Sequence, residues 1–203
     1  MNQTQQLEAI SVFPQGNPRS LLVMLHGWGA NSRDLAPLAQ ALDVPGMGYL
    51  FPNAPFTHPQ VPEGRAWYAL ETPDYQGLEQ SREMLFEWLM ALEETTQIPR
   101  SRTYIAGFSQ GGAMTLDVAL MLPVAGLISL SGYLHYEPQP LEIETPPVLI
   151  IHGTQDAVVP LAAAQQARDK LSAIGVTVQY QEFAMGHEIN QGAIALLKEF
   201  ISS

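Results

Sequence analysis

The chain has no cysteine among its 203 residues. That absence excludes disulfides, thiolate metal sites and a cysteine nucleophile, and it suits a reducing compartment, so a cytoplasmic location is expected. Basic residues are also scarce: nine Lys and Arg stand against 20 Asp and Glu, for a formal net charge of −11. A nucleic-acid surface needs concentrated positive charge, so no nucleic-acid partner is expected, and the acidity is read as serving solubility. Long apolar runs are missing too. The most apolar stretch, VALMLPVAGLISL, is broken by Pro123 and Gly126 and falls short of the ~18 residues a membrane span requires. The opening MNQTQQLEAISVF lacks the basic and apolar regions of a secretory signal. No stable membrane insertion is expected. No repeat or low-complexity linker divides the chain, so one compact domain spanning residues 1–203 is expected.

What is present is an alternation. SLLVMLHG (20–27), GYLFPNAP (48–55), RTYIAGFS (102–109), VAGLISLSG (124–132), PPVLIIHG (146–153) and TVQYQEFA (177–184) read as strands. Several are apolar at consecutive positions, as strands buried on both faces of a parallel sheet are. Helical spacing falls between them. Leu35, Leu38 and Leu42 repeat one turn apart behind an expected Asp34 cap, and Leu78, Leu85, Trp88, Leu89 and Leu92 form a stripe. A helix from Gly111 to Leu122 should stop at Pro123, and residues 161–174 and 190–201 supply two more. The pattern predicts an α/β fold: a mostly parallel, doubly wound sheet flanked by helices. Ligands in such sheets bind at the carboxyl ends of the strands, so chemistry is sought there.

One such end reads YIAGFSQGGAM, with Ser109 between Gly107 and Gly111. G-x-S-x-G alone arises in roughly 7% of random chains of this length. Its setting is more specific: a buried strand precedes it and a helix follows. A turn that tight crowds the neighbours of its apex; glycines relieve the crowding and leave the serine Oγ above the sheet. A serine nucleophile needs a base and an orienting carboxylate, in the chain order Ser, acid, His on such a fold. IIHGTQDAVVP places Asp156, and FAMGHEI places His187, in loops on the same rim as Ser109. His152 is read as a structural strand-end residue. Glu182 lies within a strand and Asp117 faces away from the rim on the helix after Ser109; neither is the chosen acid. His58 and His135 fall in polar loops and are expected to be solvated. The backbone N–H of Gln110 is one expected oxyanion donor, and that of Trp28, in MLHGWGA, is the second, with His26 holding the loop. The chemistry requires no metal and no cofactor.

LHGWGA, FPNAP, GFSQGGAM, LSGYL, HGTQDAVVP and MGHEI, in that order, resemble the small carboxylesterase/phospholipase family of α/β-hydrolases that includes the acyl-protein thioesterases. The resemblance spans nearly the whole chain. It implies an α/β-hydrolase fold and hydrolysis of carboxylic esters or thioesters by Ser109, Asp156 and His187, with Trp28 and Gln110 at the oxyanion hole. Trp28 stands where the thioesterase branch usually has leucine, and its bulk points away from long acyl chains. The short HYEPQPLEIETP after LSGYL leaves no room for a cap domain, so an open site is expected. The aperiodic, aromatic segment 53–74 is expected to wall an acyl groove, with Trp67, Leu134 and Met185 as candidate substrate contacts. The expected activity is a serine carboxylesterase acting on small-molecule or lipid-like esters of short-to-medium acyl chain. An acyl-thioesterase or lysophospholipase is the alternative, a non-catalytic hydrolase-fold binding protein a remote one, and a homodimer is one assembly open to it.

Overall fold

The computed structural model describes residues 7–72, 74–140 and 142–202. MNQTQQ, Pro73 of segment 53–74, Leu141 of the post-LSGYL segment and Ser203 lie outside the described residues. Seven strands form one sheet: β1 (Ala9–Val12), β2 (Ser20–Leu25), β3 (Met47–Pro52), β6 (Thr103–Phe108), β7 (Gly126–Leu130), β8 (Val148–Gly153) and β9 (Val178–Phe183). A small hairpin, β4 (Phe56–Thr57) with β5 (Arg65–Ala66), stands apart inside segment 53–74. The sheet order is β1-β3-β2-β6-β7-β8-β9, parallel except for the antiparallel edge strand β1. All six expected strands are present. β1 was not expected, because AISV is short and mostly exposed and carries no alternation strong enough to read.

Successive residues in a strand point to opposite faces, so an uninterrupted apolar run fills two cores at once. Leu21, Val23 and Leu25 of β2 enter one core, whereas Leu22 and Met24 enter the other. The first core is covered by α3 (Leu78–Thr96), α4 (Gln110–Ala119) and α5 (Leu161–Ala173); the second by α1 (Ser32–Leu35), α2 (Leu38–Leu42) and α6 (Gln191–Ser202). The α3 stripe buries Leu78, Leu85, Leu89 and Leu92, as its spacing predicts.

Three helical expectations are corrected. Leu35, Leu38 and Leu42 do not share one helix, because Pro37 lacks the N–H a continuous helix needs and divides it into α1 and α2. Asp34 is not the cap. Asn31 caps α1 by accepting from the Arg33 N–H, and Asp34 sits three residues in, accepting from the Asn31 N–H in a capping box. α4 also ends at Ala119, before the residues nearest Pro123.

β2 is flanked by β3 on one side and β6 on the other, so the chain reverses its progress across the sheet there. The crevice beyond such a reversal is where open α/β sheets place their ligands. Main chain meets main chain beside it. A Cβ on Gly107 would lie 2.1 Å from the Gly111 carbonyl oxygen, and one on Gly111 would lie 2.2 Å from the Leu25 carbonyl oxygen. Gly107→Ala is therefore expected to cost more than about 3 kcal/mol in urea unfolding, beyond the usual overpacking range. Gly186→Ala, whose Cβ would meet only the Gln155 carbonyl at 4.0 Å, should stay within about 1 kcal/mol. Equal losses would contradict this account of the contact.

Candidate active site

Ser109 joins β6 to α4 with φ 55° and ψ −118°, a region that costs a non-glycine residue about 1–3 kcal/mol and persists only where its surroundings enforce it. Two hydrogen bonds help enforce it. The Ser109 N–H donates to the Leu130 carbonyl of β7 at 2.8 Å, and the Ser109 carbonyl accepts from Ala113 N–H at 3.0 Å in the first turn of α4. Gln110 opens that helix, so its N–H belongs to the group with no acceptor inside the helix.

β8 and β9 carry the other two candidates. Gln155 N–H donates to the Met185 carbonyl at 3.1 Å and Thr154 N–H to the Phe183 carbonyl at 2.8 Å, lacing the Asp156 and His187 loops together. Asp156 is enclosed. Its Oδ1 accepts from Val158 N–H (2.8 Å) and Val159 N–H (2.9 Å), and its Oδ2 from His187 Nδ1–H (2.7 Å). Burial alone would raise the Asp156 pKa; the hydrogen bonds from His187, Val159 and Val158 outweigh it and hold the group below the usual carboxylate range. With Nδ1–H committed to Asp156, His187 keeps Nε2 as an acceptor. The ring is 18% exposed and rests on Phe108, the residue before Ser109, at a centroid distance of 4.8 Å. His152 spends its Nε2–H on the Val159 carbonyl at 2.9 Å and is fully buried, as a structural histidine would be.

Trp28 follows a residue packed directly on the nucleophile candidate: a Cβ on Gly27 would lie 3.3 Å from Ser109 Cβ. Beyond it Gly29, at φ 78°, donates its N–H to the Arg65 carbonyl at 2.9 Å, tying the loop to β5. His26 secures the strand end, donating from Nδ1 to the Gly27 carbonyl (2.8 Å) and accepting Ala54 N–H at Nε2 (3.0 Å).

The Gln110 side chain does something its backbone role did not foretell. Its Oε1 accepts from Trp67 N–H and its Nε2 donates to the Tyr68 carbonyl, both at 2.9 Å, clamping segment 53–74 to the elbow. No periodicity signals a contact 43 residues apart. A cavity of about 350 Å³ opens beside this clamp, lined by Trp28, Phe56, Pro59, Ala66, Tyr68 and Ala69, with Glu71, Gln76 and Gln80 toward solvent. A larger, polar groove of about 560 Å³ lies against β1 and α1; none of Ser109, Asp156 and His187 is among the lining residues of either space.

Several expectations for individual residues are corrected. Trp67 is fully buried and donates its Nε1–H to the His26 carbonyl at 3.0 Å, so it braces the site from beneath and presents no surface to a substrate. Met185 is 3% exposed and packs in the second core, leaving only its carbonyl to the loop. Leu134, half-buried against the first core, keeps an exposed part but is not among the residues lining the 350 Å³ cavity. His58 is not solvated: it is buried, its Nδ1 accepts from Gln60 and Val61 N–H, and its ring stands edge-on to Trp28 at 4.1 Å. His135 is enclosed as well, between Asp117 and Tyr68.

The family model for the phospholipase/carboxylesterase family matches residues 8–203. The chain belongs to the phospholipase/carboxylesterase family. As a member it is a hydrolase, and the family includes carboxylesterases, thioesterases and lysophospholipases. It is 27% identical to carboxylesterase SOBER1 of Arabidopsis thaliana over 204 residues, covering 90% of each chain. It is also 27% identical to lysophospholipase-like protein 1 of Mus musculus, covering 94% of this chain and 89% of that protein. Among solved structures, esterase PE8 superposes with a TM-score of 0.88 at 32% identity, covering 97% of this chain and 98% of that one. The α/β-hydrolase fold expected from the sequence is thereby established. Among the described residues no group of three or more His, Cys, Asp or Glu side chains is arranged to hold a metal ion, and no helix is long and apolar enough to cross a membrane.

The buried His26 gives this site a measurable acid sensitivity. Burial, the dominant effect, lowers its pKa from 6.5 to about 4, because an enclosed imidazolium loses its hydration; protonation would also turn the acceptor of the Ala54 N–H into a donor. The unfolded chain therefore takes up this proton first. The His26 contribution is complete above about pH 6.5 and is lost as the pH falls toward 4, by roughly 3 kcal/mol in all. Urea unfolding between pH 7.5 and 4 should show that slope, and His26→Gln should flatten it; an equal slope in the variant would refute the assignment.

Proposed function

We propose that the protein is a serine esterase cleaving carboxylic esters of short-to-medium acyl chain through an acyl-enzyme on Ser109. The observation that carries this reading is the Asp156–His187 hydrogen bond on the rim beside the strained Ser109 turn. In this mechanism Ser109 Oγ attacks the ester carbonyl and passes its proton to His187 Nε2. Asp156 fixes the His187 tautomer and offsets the charge of the imidazolium that forms. The N–H groups of Gln110 and Trp28 hold the oxyanion, each such donor contributing about 3 kcal/mol of barrier reduction. The proton on His187 then leaves with the alcohol. Water attacks the acyl-Ser109 ester, gives one proton to His187 and releases the acid, and Ser109 regains its proton.

The acyl-length reading is supported by the 350 Å³ cavity next to Trp28, which is at the small end of ligand sites. Segment 53–74 supplies most of its wall, with Phe56 in the role expected of Trp67. The bulk of Trp28 in its wall favours short chains over palmitoyl-length ones. A lysophospholipase or acyl-thioesterase remains the second reading, favoured by the names of relatives. The lack of cysteine fits work in a reducing cytoplasm.

Ser109→Ala should lower turnover of p-nitrophenyl butyrate by at least about a thousandfold while leaving the circular dichroism melt unchanged. Retained turnover would exclude Ser109 as nucleophile, and absence of turnover in the wild type would favour a binding protein. In a series from acetate to palmitate, kcat/KM should peak between butyrate and octanoate. A palmitoyl maximum, or faster cleavage of matched thioesters, would move the reading to the lysophospholipase or thioesterase.

A further inference from the structure

β8 ends in His152 and Gly153, and each of them meets one of the two loops that carry the proposed acid and base. A Cβ on Gly153 would lie 2.3 Å from the Met185 carbonyl oxygen and 2.5 Å from that of Gly186, so the backbone before His187 presses directly on the strand. His152 meets the other loop. Its Nε2 lies 2.9 Å from the Val159 carbonyl oxygen and 3.6 Å from Asp156 Oδ2, and neither the imidazole nor the carboxylate is accessible to solvent. Among the described residues Nδ1 has no hydrogen-bond partner. Glu182, opposite His152 in the register of β8 and β9, gives its carboxylate to Tyr180 and Gln165. The hydrogen bonding of the His152 ring thus goes to the acid loop.

A carbonyl and a carboxylate both accept, so Nε2 carries a hydrogen whatever the state of Nδ1. That hydrogen is donated to Val159, the nearer acceptor, and its partial positive charge also faces Oδ2, at a distance too long for a second hydrogen bond. Val159 is held on both sides: its N–H is given to Asp156 Oδ1 at 2.9 Å, and its carbonyl is taken by His152. Asp156 Oδ2 faces two imidazoles, the 18%-exposed His187 at 2.7 Å and the fully buried His152 at 3.6 Å. The N–H groups of Val158 and Val159 fix Oδ1 alone and leave the carboxylate a pivot about that oxygen. A buried N–H beside Oδ2 opposes the pivot. His187 cannot do so by itself, because its own orientation depends on Asp156.

We propose that His152 is a positioning residue for Asp156: by holding the Val159 carbonyl and facing Oδ2, it aims the carboxylate at His187 Nδ1 and so fixes the base for its proton exchange with Ser109. This rests on the serine-esterase reading and adds to it a residue that acts through the acid.

The test uses the reach of the side chain. In His152→Gln the amide nitrogen falls where Nε2 lies and can donate to Val159; in His152→Asn it stops at the place of Nδ1. Turnover of p-nitrophenyl butyrate is measured per active site, counted by exhaustive fluorophosphonate labelling of Ser109. His152→Asn should lose about a hundredfold in kcat with KM within about threefold, the cost of a catalytic group misplaced by about 1 Å, and His152→Gln should return to within about fivefold of the wild type. Proton NMR gives a readout without turnover. The downfield Nδ1–H signal that His187→Ala removes should be sharp in the wild type and in His152→Gln, and broadened by exchange in His152→Asn. Equal kcat in the two variants, or an unchanged signal in His152→Asn, would overturn the proposal. A wild type that neither labels nor turns over would overturn the serine-esterase reading instead, and the NMR comparison would still decide whether His152 positions Asp156.

Discussion

The molecule turns on a place where three pieces of backbone touch. Gly107 of β6 lies against the first turn of α4, and Gly111 of that turn lies against the end of β2, with no room for a Cβ at either position. This contact sets the angle at which the chain leaves the sheet and starts a helix, and so it holds Ser109 at φ 55°. Strain of that kind is retained only if the surroundings cannot relax. Here they are two doubly buried strands and a helix whose residues are nearly all enclosed. The same contact brings the β2 loop, with Gly27 and Trp28, onto the nucleophile candidate. Rigidity of the sheet and exposure of one hydroxyl are thus products of a single packing constraint.

Around that constraint, polar side chains act as ties more than as surface. His26 holds the β2 end to Ala54, Gln110 holds segment 53–74 to the elbow, and Asp156 is fixed by two backbone N–H groups before it reaches His187. Each tie is a buried group with its hydrogen bonds met, and each links segments distant in sequence. The walls of the site are therefore set by the same interactions that hold its chemistry. The Asp117–His135–Tyr68 hydrogen bonds extend this pattern, joining α4 to segment 53–74.

The elements were legible where the signal was local. Consecutive apolar residues in LLVML and VLII announced doubly buried strands, and the Leu78–Leu92 stripe announced α3. The placement of Ser109, Asp156 and His187 on one rim was legible because strand ends are readable and because loops after strands lie together. The contributions of Trp67, His58 and His135 were not. A tryptophan in a proline-rich loop looks like a substrate wall, yet the Gln110 clamp turns it inward; the two histidines look solvated, yet tertiary partners enclose them. A leucine at each turn on either side of Pro37 suggested one helix, but its missing N–H requires two.

The central claim is that the elbow makes one serine, out of all those in the chain, nucleophilic. Treatment with a fluorophosphonate followed by tandem mass spectrometry of the digested protein tests it most directly. The account predicts a single stoichiometric adduct on Ser109, lost in His187→Ala. An adduct on another residue, or no adduct on folded protein, would contradict it.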